Sequence, residues 1–335
     1  MANPARHDGT VLVTGGAGYI GSHVVLALQE AGIACVVLDN LSTGFRDAVP
    51  AGVPFVEADI SDGPRVGETI RRHGCCSIIH FAASIVVPES VADPIKYYRN
   101  NLCASTALIG TALETGISRM VFSSTAAVYG EPETIPVPES APVQPLNPYG
   151  ASKAMVEQVL RDASRAHGLE VAILRYFNVA GADPQGRAGQ RTKGATHLIK
   201  VACEVATGQR QALEIFGTDY ATPDGTCVRD YIHVSDLADA HLLALQHLAA
   251  GHGSLLLNCG YGRGYSVHDV VASIERVTGR PLPVRLAPRR PGDSSMIVAT
   301  GQAVRDTLGW RPRHDDLEAI VRSAYEWELR ARAPA

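Results

Sequence analysis

The stretch that decides the fold is VLVTGGAGYIG at residues 11–21. A short apolar run from Val11 to Val13 leads directly into a G-x-x-G-x-x-G loop, and apolar residues then recur at spacings of three and four up to Ala31. A strand, a glycine loop and a helix in this order are typical of the dinucleotide-binding turn of doubly wound α/β proteins. The start of the helix would supply N–H groups and positive potential for a pyrophosphate.

Three glycines of this loop have separate expected roles. Gly15 permits the tight turn, Gly18 lets the backbone approach a pyrophosphate, and Gly21 lets the helix pack against the strand. A second buried-strand pattern ends at Asp39. An acid there accepts hydrogen bonds from both ribose hydroxyls and repels a 2′-phosphate, so the sequence favours NAD over NADP. The alternative is an ordinary glycine-rich turn, which the flanking strand and helix patterns disfavour.

Strand-like and helical patterns alternate over the first 180 residues. This order predicts parallel strands with right-handed crossovers, and continuously apolar strands are typical of a sheet covered on both faces. The expected fold class is α/β, with a Rossmann-type doubly wound parallel sheet and a smaller C-terminal α/β substrate domain. We expect the NAD-binding domain at 1–180, with a later contribution from about 230–260, and a mostly nucleotide-sugar-binding, interleaved domain at 181–335. The strand patterns lie at 11–13, 35–38, 53–56, 78–81, 120–122, 171–174 and 255–257, the later helices at 196–207 and 236–249, a loop at 180–195, and a stretch rich in proline and arginine at 281–295.

Length and composition limit the class of partner. The chain has 335 residues, enough for about two domains. Its net charge of −4 argues against a nucleic-acid partner, and no apolar run reaches the roughly 18 residues that would predict a membrane span. No secretory signal is visible, and the seven cysteines form no metal or redox spacing. We therefore expect a small-molecule partner, no metal, and a cytoplasmic chain with reduced thiols.

A second motif, NPYGASK at residues 147–153, carries the chemistry. Asn147 and Pro148 are suited to the N-cap and first position of a helix, which would place Tyr149 in the first turn with Lys153 on the same face. The lysine cation and the helix N-terminus would both lower the pKa of Tyr149 and make it a general base for an alcohol proton. The alternative, a surface tyrosine and lysine, is disfavoured by the glycine loop upstream.

Hydroxyl groups follow the strand pattern that ends at Phe122. In a parallel sheet, ligands gather at the carboxyl ends of the strands, so a hydroxyl of residues 123–125 would reach the reacting alcohol oxygen. The alternative is that these hydroxyls only cap a loop. Asp59, after the third strand pattern, is a candidate for the adenine edge or an ordinary solvated acid.

Together these motifs resemble the extended short-chain dehydrogenase/reductases and, more narrowly, the UDP-glucose 4-epimerases. The similarity runs from about Val11 to Trp310. Its downstream supports are more specific than the glycine loop, and they are HFAA at 80–83, LRYFN at 174–178, GTCVRDYIHV at 225–234 and APRRPGD at 287–293.

The resemblance implies roles for individual residues. Tyr149 would remove the proton from the sugar 4-hydroxyl, Lys153 would hold the nicotinamide ribose, and Thr125 would hydrogen-bond the same sugar oxygen. NAD contacts would come from Tyr19, Ile20, Asp39, Asn40, Ser42, Asp59, Ile60, Phe81, Ala82, Asn100 and Phe177. The UDP group would be held by Asn178, His197, Leu198, Phe216, Arg229, Arg290 and Asp293. The resemblance also implies a homodimer through helices near 93–115 and 149–166.

The implied reaction is C4 epimerisation of UDP-glucose and UDP-galactose through a transient 4-keto sugar, with NAD staying bound. A dehydratase is disfavoured because Ala126 and Ala127 stand where those enzymes have an Asp-Glu pair. A non-catalytic NAD-binding regulator is disfavoured by the complete Thr125, Tyr149 and Lys153 set. Two positions depart from the family pattern. Ile85 replaces a lysine that many members carry, and Ile297 stands at a position associated with room for an N-acetyl group, which leaves N-acetylated sugars and pentoses as alternative substrates.

Overall fold

The computed structural model describes residues 9–192, 194–290 and 292–331. Its strands are β1 Thr10–Thr14, β2 Cys35–Asp39, β3 Phe55–Glu57, β4 Cys75–His80, β5 Arg119–Thr125, β6 Glu170–Tyr176, β7 Asn178–Ala180, β8 Leu213–Phe216, β9 Val228–His233, β10 Leu255–Cys259, β11 Gly264–Ser266, β12 Val284–Ala287 and β13 Met296–Ile297.

The helices alternate with these strands. They are α1 Tyr19–Glu30, α2 Gly63–His73, α3 Val87–Ala92, α4 Pro94–Tyr97, α5 Ala104–Glu114, α6 Pro148–His167, α7 Leu198–Ala206, α8 Val234–Ala249, α9 Val267–Thr278, α10 Gln302–Leu308 and α11 Leu317–Arg330. Short 3₁₀-helices lie at Arg46–Ala48 and Ala126–Tyr129, and a π-helical segment lies at Tyr98–Cys103. Within the described residues, no helix combines the length and the apolar character needed to cross a membrane.

A seven-stranded parallel sheet forms the centre of the fold. Its strand order is β10-β6-β5-β4-β1-β2-β3. Strands β1 to β3 are added towards one edge, and β4 then pairs with the other side of β1, so the order of strands reverses between β1 and β4. Parallel strands bring all their carboxyl ends to one edge, and a reversal point there is the usual place for a nucleotide. The predicted α/β fold class with a doubly wound parallel sheet is confirmed.

The sheet is covered on both faces, as its continuously apolar strands predict. Alternate residues of β1 enter different cores, with Val11 and Val13 on one side and Leu12 on the other. The first core includes α1 and α8, and the second includes α2, α5 and α6. All three β1 side chains have no exposed surface. The glycine loop that follows β1 is therefore attached to a deeply buried central strand.

The second half of the chain builds smaller sheets and then returns to the large one. Strands β7, β9, β11 and β13 form one small sheet, and β8 pairs with β12 in another. Helices α7 and α8 confirm the predicted helices near 196–207 and 236–249, and β10 pairs with β6 in the large sheet. Strand β12 lies within the proline- and arginine-rich stretch at 281–295, where the sequence pattern predicts no strand. How the chain divides into domains stays a prediction.

Candidate active site

The glycine loop needs glycine at two positions for steric reasons. Gly15 has a φ of +73°, and a Cβ there would lie 2.6 Å from the backbone nitrogen of Ala82. A Cβ at Gly21 would lie 2.2 Å from the carbonyl oxygen of Gly15. Because Gly15 has no Cβ, the turn can contact the loop after β4. Because Gly21 has no Cβ, α1 can begin directly against the turn. Gly21 therefore packs against the loop itself rather than against the strand.

The N-terminus of α1 has the chemistry that a diphosphate requires. Gly18 is its N-cap. Among the residues that the structure describes, no side chain caps this terminus, and the first turn contains no acidic residue. The N–H groups at a helix start lack partners within the helix and carry positive potential. The hydroxyl of Tyr19 is bonded elsewhere, since it donates to the carbonyl oxygen of Gly181 at 2.7 Å. These groups fit the pyrophosphate of a dinucleotide.

Asp39 lies at the end of β2 beside this loop. Its Oδ2 accepts a hydrogen bond from the N–H of Ala17 at 3.0 Å, and its Oδ1 accepts one from Leu41 at 2.8 Å. Burial raises the pKa of this carboxyl, and the two backbone hydrogen bonds oppose the rise. A carboxylate has about four acceptor positions, so two remain for ribose hydroxyls. The surroundings of Asp39 fit an NAD ribose.

We expect NAD to bind at least about tenfold more tightly than NADP, because placing two negative charges together costs several kcal/mol. The second negative charge would be the 2′-phosphate of NADP, which would meet the buried Asp39 carboxylate. Titration of the protein with each cofactor would measure the two Kd values. Equal Kd values would show that Asp39 does not face the ribose.

The other residues predicted at the adenosine end are linked to one another. Asn40 donates to Asp59 at 2.9 Å, and the hydroxyl of Ser61 donates to Asp59 at 2.6 Å. The N–H of Ser42 donates to Asn40 at 3.0 Å, and Ile60 is buried. Asp59 therefore organises the loop after β3. Its contact with adenine stays a prediction.

The loop after β4 is fixed by two asparagines from the π-helical segment. Asn100 donates to the hydroxyl of Ser84 at 2.9 Å. The neighbouring Asn101 accepts from the N–H of Ser84 at 2.8 Å and donates to the hydroxyl of Ser152 at 3.1 Å. This loop begins with Phe81 and Ala82 and is therefore tied to α6. Asn101 was not among the residues predicted from the sequence. The signal that could have indicated it is the pair of amide side chains, Asn100 and Asn101, before an apolar helical pattern.

Helix α6 begins as predicted and positions the predicted catalytic pair. Asn147 accepts from the N–H of Gly150 at 2.9 Å, and Pro148 is the first helical residue. Tyr149 is buried in the first turn, and Lys153 is buried one turn later. The ammonium of Lys153 donates to the carbonyl oxygen of Ser123 at 2.9 Å. The lysine is therefore anchored to the carboxyl end of β5.

The three hydroxyls at the end of β5 have different partners. The hydroxyl of Thr125 hydrogen-bonds the hydroxyl of Tyr149 and also accepts from the N–H of Ala127 at 3.1 Å. Ser123 donates to the hydroxyl of Tyr176 at 2.9 Å, and Ser124 donates to a buried carboxylate on α6 at 2.6 Å. Among the described residues, Thr125 is therefore the candidate that contacts Tyr149.

The pKa of Tyr149 is shifted in the direction opposite to the prediction. Burial raises the pKa of the Tyr149 phenol, and the hydrogen bond from Thr125 opposes the rise. Burial lowers the pKa of Lys153 to about 7, while the negative charge of Glu157 opposes that fall. Removal from water therefore outweighs the hydrogen bond from Thr125 at Tyr149 and the charge of Glu157 at Lys153. The YxxxK spacing could place the two groups together, but it carried no information on how deeply they are buried.

Five residues predicted to hold UDP lie in or beside a second cluster. The guanidinium of Arg290 lies over the ring of Phe216 at 4.5 Å and donates to Asp293 at 2.9 Å. The pKa of His197 is lowered by burial and then by the positive charge of Arg290. Leu198 follows His197 at the start of α7. This cluster presents a fixed guanidinium and an aromatic ring, which suit a diphosphate and a base.

Two further predicted substrate residues lie on strands. Asn178 begins β7, directly after Phe177, which packs in a small core with Ala126 and Ile297. Arg229 is on β9 and donates to the carbonyl oxygens of Val228, Ser294 and Ser295. Its hydrogen bonds support the loop that follows Asp293. A direct contact of Arg229 with UDP stays a prediction.

The fold and this site are those of a nucleotide-dependent enzyme, with a buried tyrosine and lysine as its candidate catalytic pair. Residues 11–260 match the model of the NAD dependent epimerase/dehydratase family, and the chain belongs to that family. Within it, the chain is similar to the UDP-glucose 4-epimerase of Azospirillum brasilense, with 62% identity over 328 residues that cover 98% of this chain and 94% of the relative.

Solved structures give the same result. The UDP-glucose 4-epimerase of Brucella ovis in complex with NAD has a TM-score of 0.92 and 46% identity, covering 95% of this chain and 98% of that one. The UDP-glucose-4-epimerase of Stenotrophomonas maltophila, with bound NAD and formylated UDP-arabinopyranose, has a TM-score of 0.93 and 40% identity, covering 97% of this chain and 100% of that one. The predicted family membership is confirmed.

Proposed function

We propose that this chain is an NAD-dependent isomerase that interconverts the C4 epimers of a UDP-hexose, with UDP-glucose and UDP-galactose as the main pair. The observation that carries the proposal is the Thr125, Tyr149 and Lys153 set, buried at the sheet edge that also carries the glycine loop. The similarity to UDP-glucose 4-epimerases over nearly the whole chain supports it. NAD, when bound, supplies the acceptor and donor of the C4 hydride and ends turnover unchanged.

The residues of this chain provide the proton path and the positioning. Tyr149 takes the proton from the sugar 4-hydroxyl. It returns the proton after the 4-keto sugar has rotated in the pocket to present its opposite face. Thr125 orients the same oxygen through the hydrogen bond that it shares with Tyr149. Lys153 stabilises the tyrosinate and holds the nicotinamide ribose. Because both Tyr149 and Lys153 are buried, charge that develops on them is not screened by water.

The cluster around Arg290 holds the UDP group away from the reacting sugar. The guanidinium is fixed by Phe216 on one face and by Asp293 at its edge, so it is oriented before substrate arrives. A pre-oriented guanidinium loses little rotational freedom on binding a diphosphate. Firm binding at UDP leaves the sugar ring free to present either face to the cofactor.

Substrate breadth depends on the walls around the sugar. Ile297 is buried and packs with Ala126 and Phe177 in a small core. This core lies beside the end of β5, where Thr125 bonds Tyr149. The side chain of Ile297 is intermediate in size between a small residue and tyrosine, so it leaves partial room for an N-acetyl group. We therefore propose some turnover of N-acetylated sugars in addition to the main pair. Ala126 and Ala127 offer no acid for dehydration.

A panel of UDP-sugars tests the proposed function. We expect UDP-galactose and UDP-glucose to interconvert without added cofactor, and UDP-GlcNAc to give a lower kcat/KM than UDP-glucose. NMR or chromatography of the products would measure both. Equal kcat/KM values for the two sugars would extend the main pair, and formation of a 4-keto-6-deoxy product would replace epimerisation by dehydration. No turnover of any UDP-sugar would favour a non-catalytic NAD-binding regulator.

We further propose a cytoplasmic homodimer. Exposed apolar side chains on the two implied helical regions support the dimer, and they include Ile95 at 56% and Met155 at 43% exposure. Cys35, Cys203 and Cys259 are buried thiols without disulfides, which suits a reducing compartment.

A further inference from the structure

A buried carboxylate lies one helical turn beyond Lys153. Tyr149, Lys153 and Glu157 occur at spacings of four on α6, so their side chains share one face of the helix. The side chains of Glu157 and Arg175 are only 1% and 2% exposed. Acidic side chains are almost never buried to this degree without partners, because removing a charge from water is costly. The reaction described above uses Tyr149 and Lys153 but gives Glu157 no role.

Glu157 is bound from three elements. Its Oε1 accepts from the hydroxyl of Ser124 at 2.6 Å and from Nε of Arg175 at 2.8 Å. Its Oε2 accepts from Arg175 and from Nη2 of Arg161, the latter at 3.0 Å. Ser124 and Arg175 are paired neighbours on β5 and β6. The carboxylate therefore joins α6 to the carboxyl ends of two central strands.

The strand end that Glu157 holds is the one that contacts the catalytic pair. Ser124 lies between Ser123, whose carbonyl oxygen holds Lys153 at 2.9 Å, and Thr125, whose hydroxyl bonds Tyr149. A shift of Ser124 would move both neighbours. Displacements of about 1 Å in positioning groups are known to cost on the order of a hundredfold in rate.

The charge of Glu157 also matters to the site. Glu157 offsets the charge of Arg175 in their ion pair, and its negative charge also favours the charged form of Lys153 one turn away. The charged and titratable groups around this cluster are Tyr97 on α4, His80 on β4, Arg175 and Tyr176 on β6, Tyr129 in the 3₁₀-helix, and Tyr149, Lys153 and Arg161 on α6. Among the described residues, Glu157 is the negatively charged group that bonds this face of α6, while Glu89 acts on Tyr97 and Glu139 on Tyr129.

We infer that Glu157 is a positioning residue for the epimerisation: it fixes the Ser123–Thr125 strand end and balances Arg175, so that Lys153 is the net positive charge one turn from Tyr149. The inference rests on the proposed function for its kinetic part. Glu157 touches neither the substrate nor the cofactor, and it acts through Lys153, Ser124 and Arg175.

The substitution Glu157→Gln tests the charge while keeping the shape and an acceptor for Ser124. Removing the negative charge leaves Arg175 unbalanced, and the added positive potential lowers the pKa of both Lys153 and Tyr149. We expect the whole pH profile of kcat/KM to move to lower pH by roughly one unit, with KM changed less than about twofold and NAD content unchanged. The control is Asp162→Asn, which removes the same charge from an exposed site on α6, with 60% of its side chain exposed.

A second readout does not require turnover. The near-ultraviolet phenolate absorbance of Tyr149 can be titrated as the difference between each protein and the same protein carrying Tyr149→Phe. We expect the Tyr149 titration to move to lower pH in Glu157→Gln and to stay in place in Asp162→Asn. An unchanged Tyr149 titration together with an unchanged pH profile in folded Glu157→Gln would overturn the inference. Because the titration needs no substrate, it tests Glu157 even where the proposed reaction fails.

A conservative variant covers the case in which Glu157→Gln does not fold. Glu157→Asp keeps the charge but shortens the side chain, so we expect kcat to fall while the pH profile stays at its wild-type position. A profile displaced in Glu157→Asp as well would contradict a role through charge.

Discussion

Replacing Tyr149 with phenylalanine is expected to lower kcat by about a thousandfold, since general acid–base catalysis contributes roughly 10²–10⁴ in rate. The hydroxyl that the substitution removes is buried and hydrogen-bonded to Thr125. The remaining ring keeps its volume and its place in the first turn of α6. NAD content should therefore be unchanged, because the glycine loop and Asp39 are untouched. Initial rates with UDP-galactose and the cofactor absorbance of purified protein would measure the two quantities.

A control for this substitution is Tyr325→Phe. Tyr325 lies on α11, and its hydroxyl accepts from Arg280 at 3.4 Å on the surface. We expect this variant to keep the wild-type kcat. Near wild-type turnover in Tyr149→Phe would refute the assignment of the base. A joint loss of NAD and of activity would indicate instead that the phenol contributes to cofactor binding or to folding.

Replacing Arg290 with alanine is expected to raise KM for UDP-glucose by about 10- to 100-fold, because charge-assisted hydrogen bonds contribute about 1.5–3 kcal/mol. Arg290 is the guanidinium fixed between Phe216 and Asp293. Its contact with a diphosphate would be the same in the ground state and in the transition state, so kcat should change little. Steady-state kinetics would separate the two parameters, and titration with UDP would give the change in Kd.

The neighbouring arginine provides a matched control. Arg289 donates to Asp219 at 2.7 Å and lies over the ring of Tyr220 at 4.1 Å, which mirrors the arrangement of Arg290 on the outer side of the loop. Its side chain is 48% exposed. We expect Arg289→Ala to leave KM within about twofold, since exposed ion pairs contribute little. Equal effects of the two substitutions would indicate a general loss of loop structure rather than a lost diphosphate contact.

The large sheet was predictable because its signals are local. Each of its strands is a short apolar run, and burial on both faces removes the ambiguity of alternating patterns. The start of α6 was predictable for the same reason, since Asn147 and Pro148 act within their own turn. The family resemblance added the cluster around Arg290, whose basic pair would otherwise have indicated only a solvated surface.

The parts that escaped prediction depend on distant partners. Strand β12 is mostly exposed and lies between prolines, and it exists because β8 offers a parallel edge from elsewhere in the chain. The bond between Glu157 and Arg175 joins α6 to β6, and no spacing in the sequence predicts it. Burial itself was the missing quantity for Tyr149 and Lys153. The direction of their pKa shifts follows from how deeply the helix is packed, which only the folded structure shows.

The pairing of β10 with β6 has a consequence for how the chain folds during synthesis. Strand β6 is complete long before β10, because β7, β8 and β9 and their connections are made in between. Until β10 arrives, the outer backbone N–H and C=O groups of β6 form an open edge, which is a template for pairing with another chain. A nascent chain that has not yet reached residues 255–259 therefore exposes this edge, and β10 covers it once those residues have been made. Late closure of this edge makes completion of the large sheet depend on synthesis of the second half of the chain.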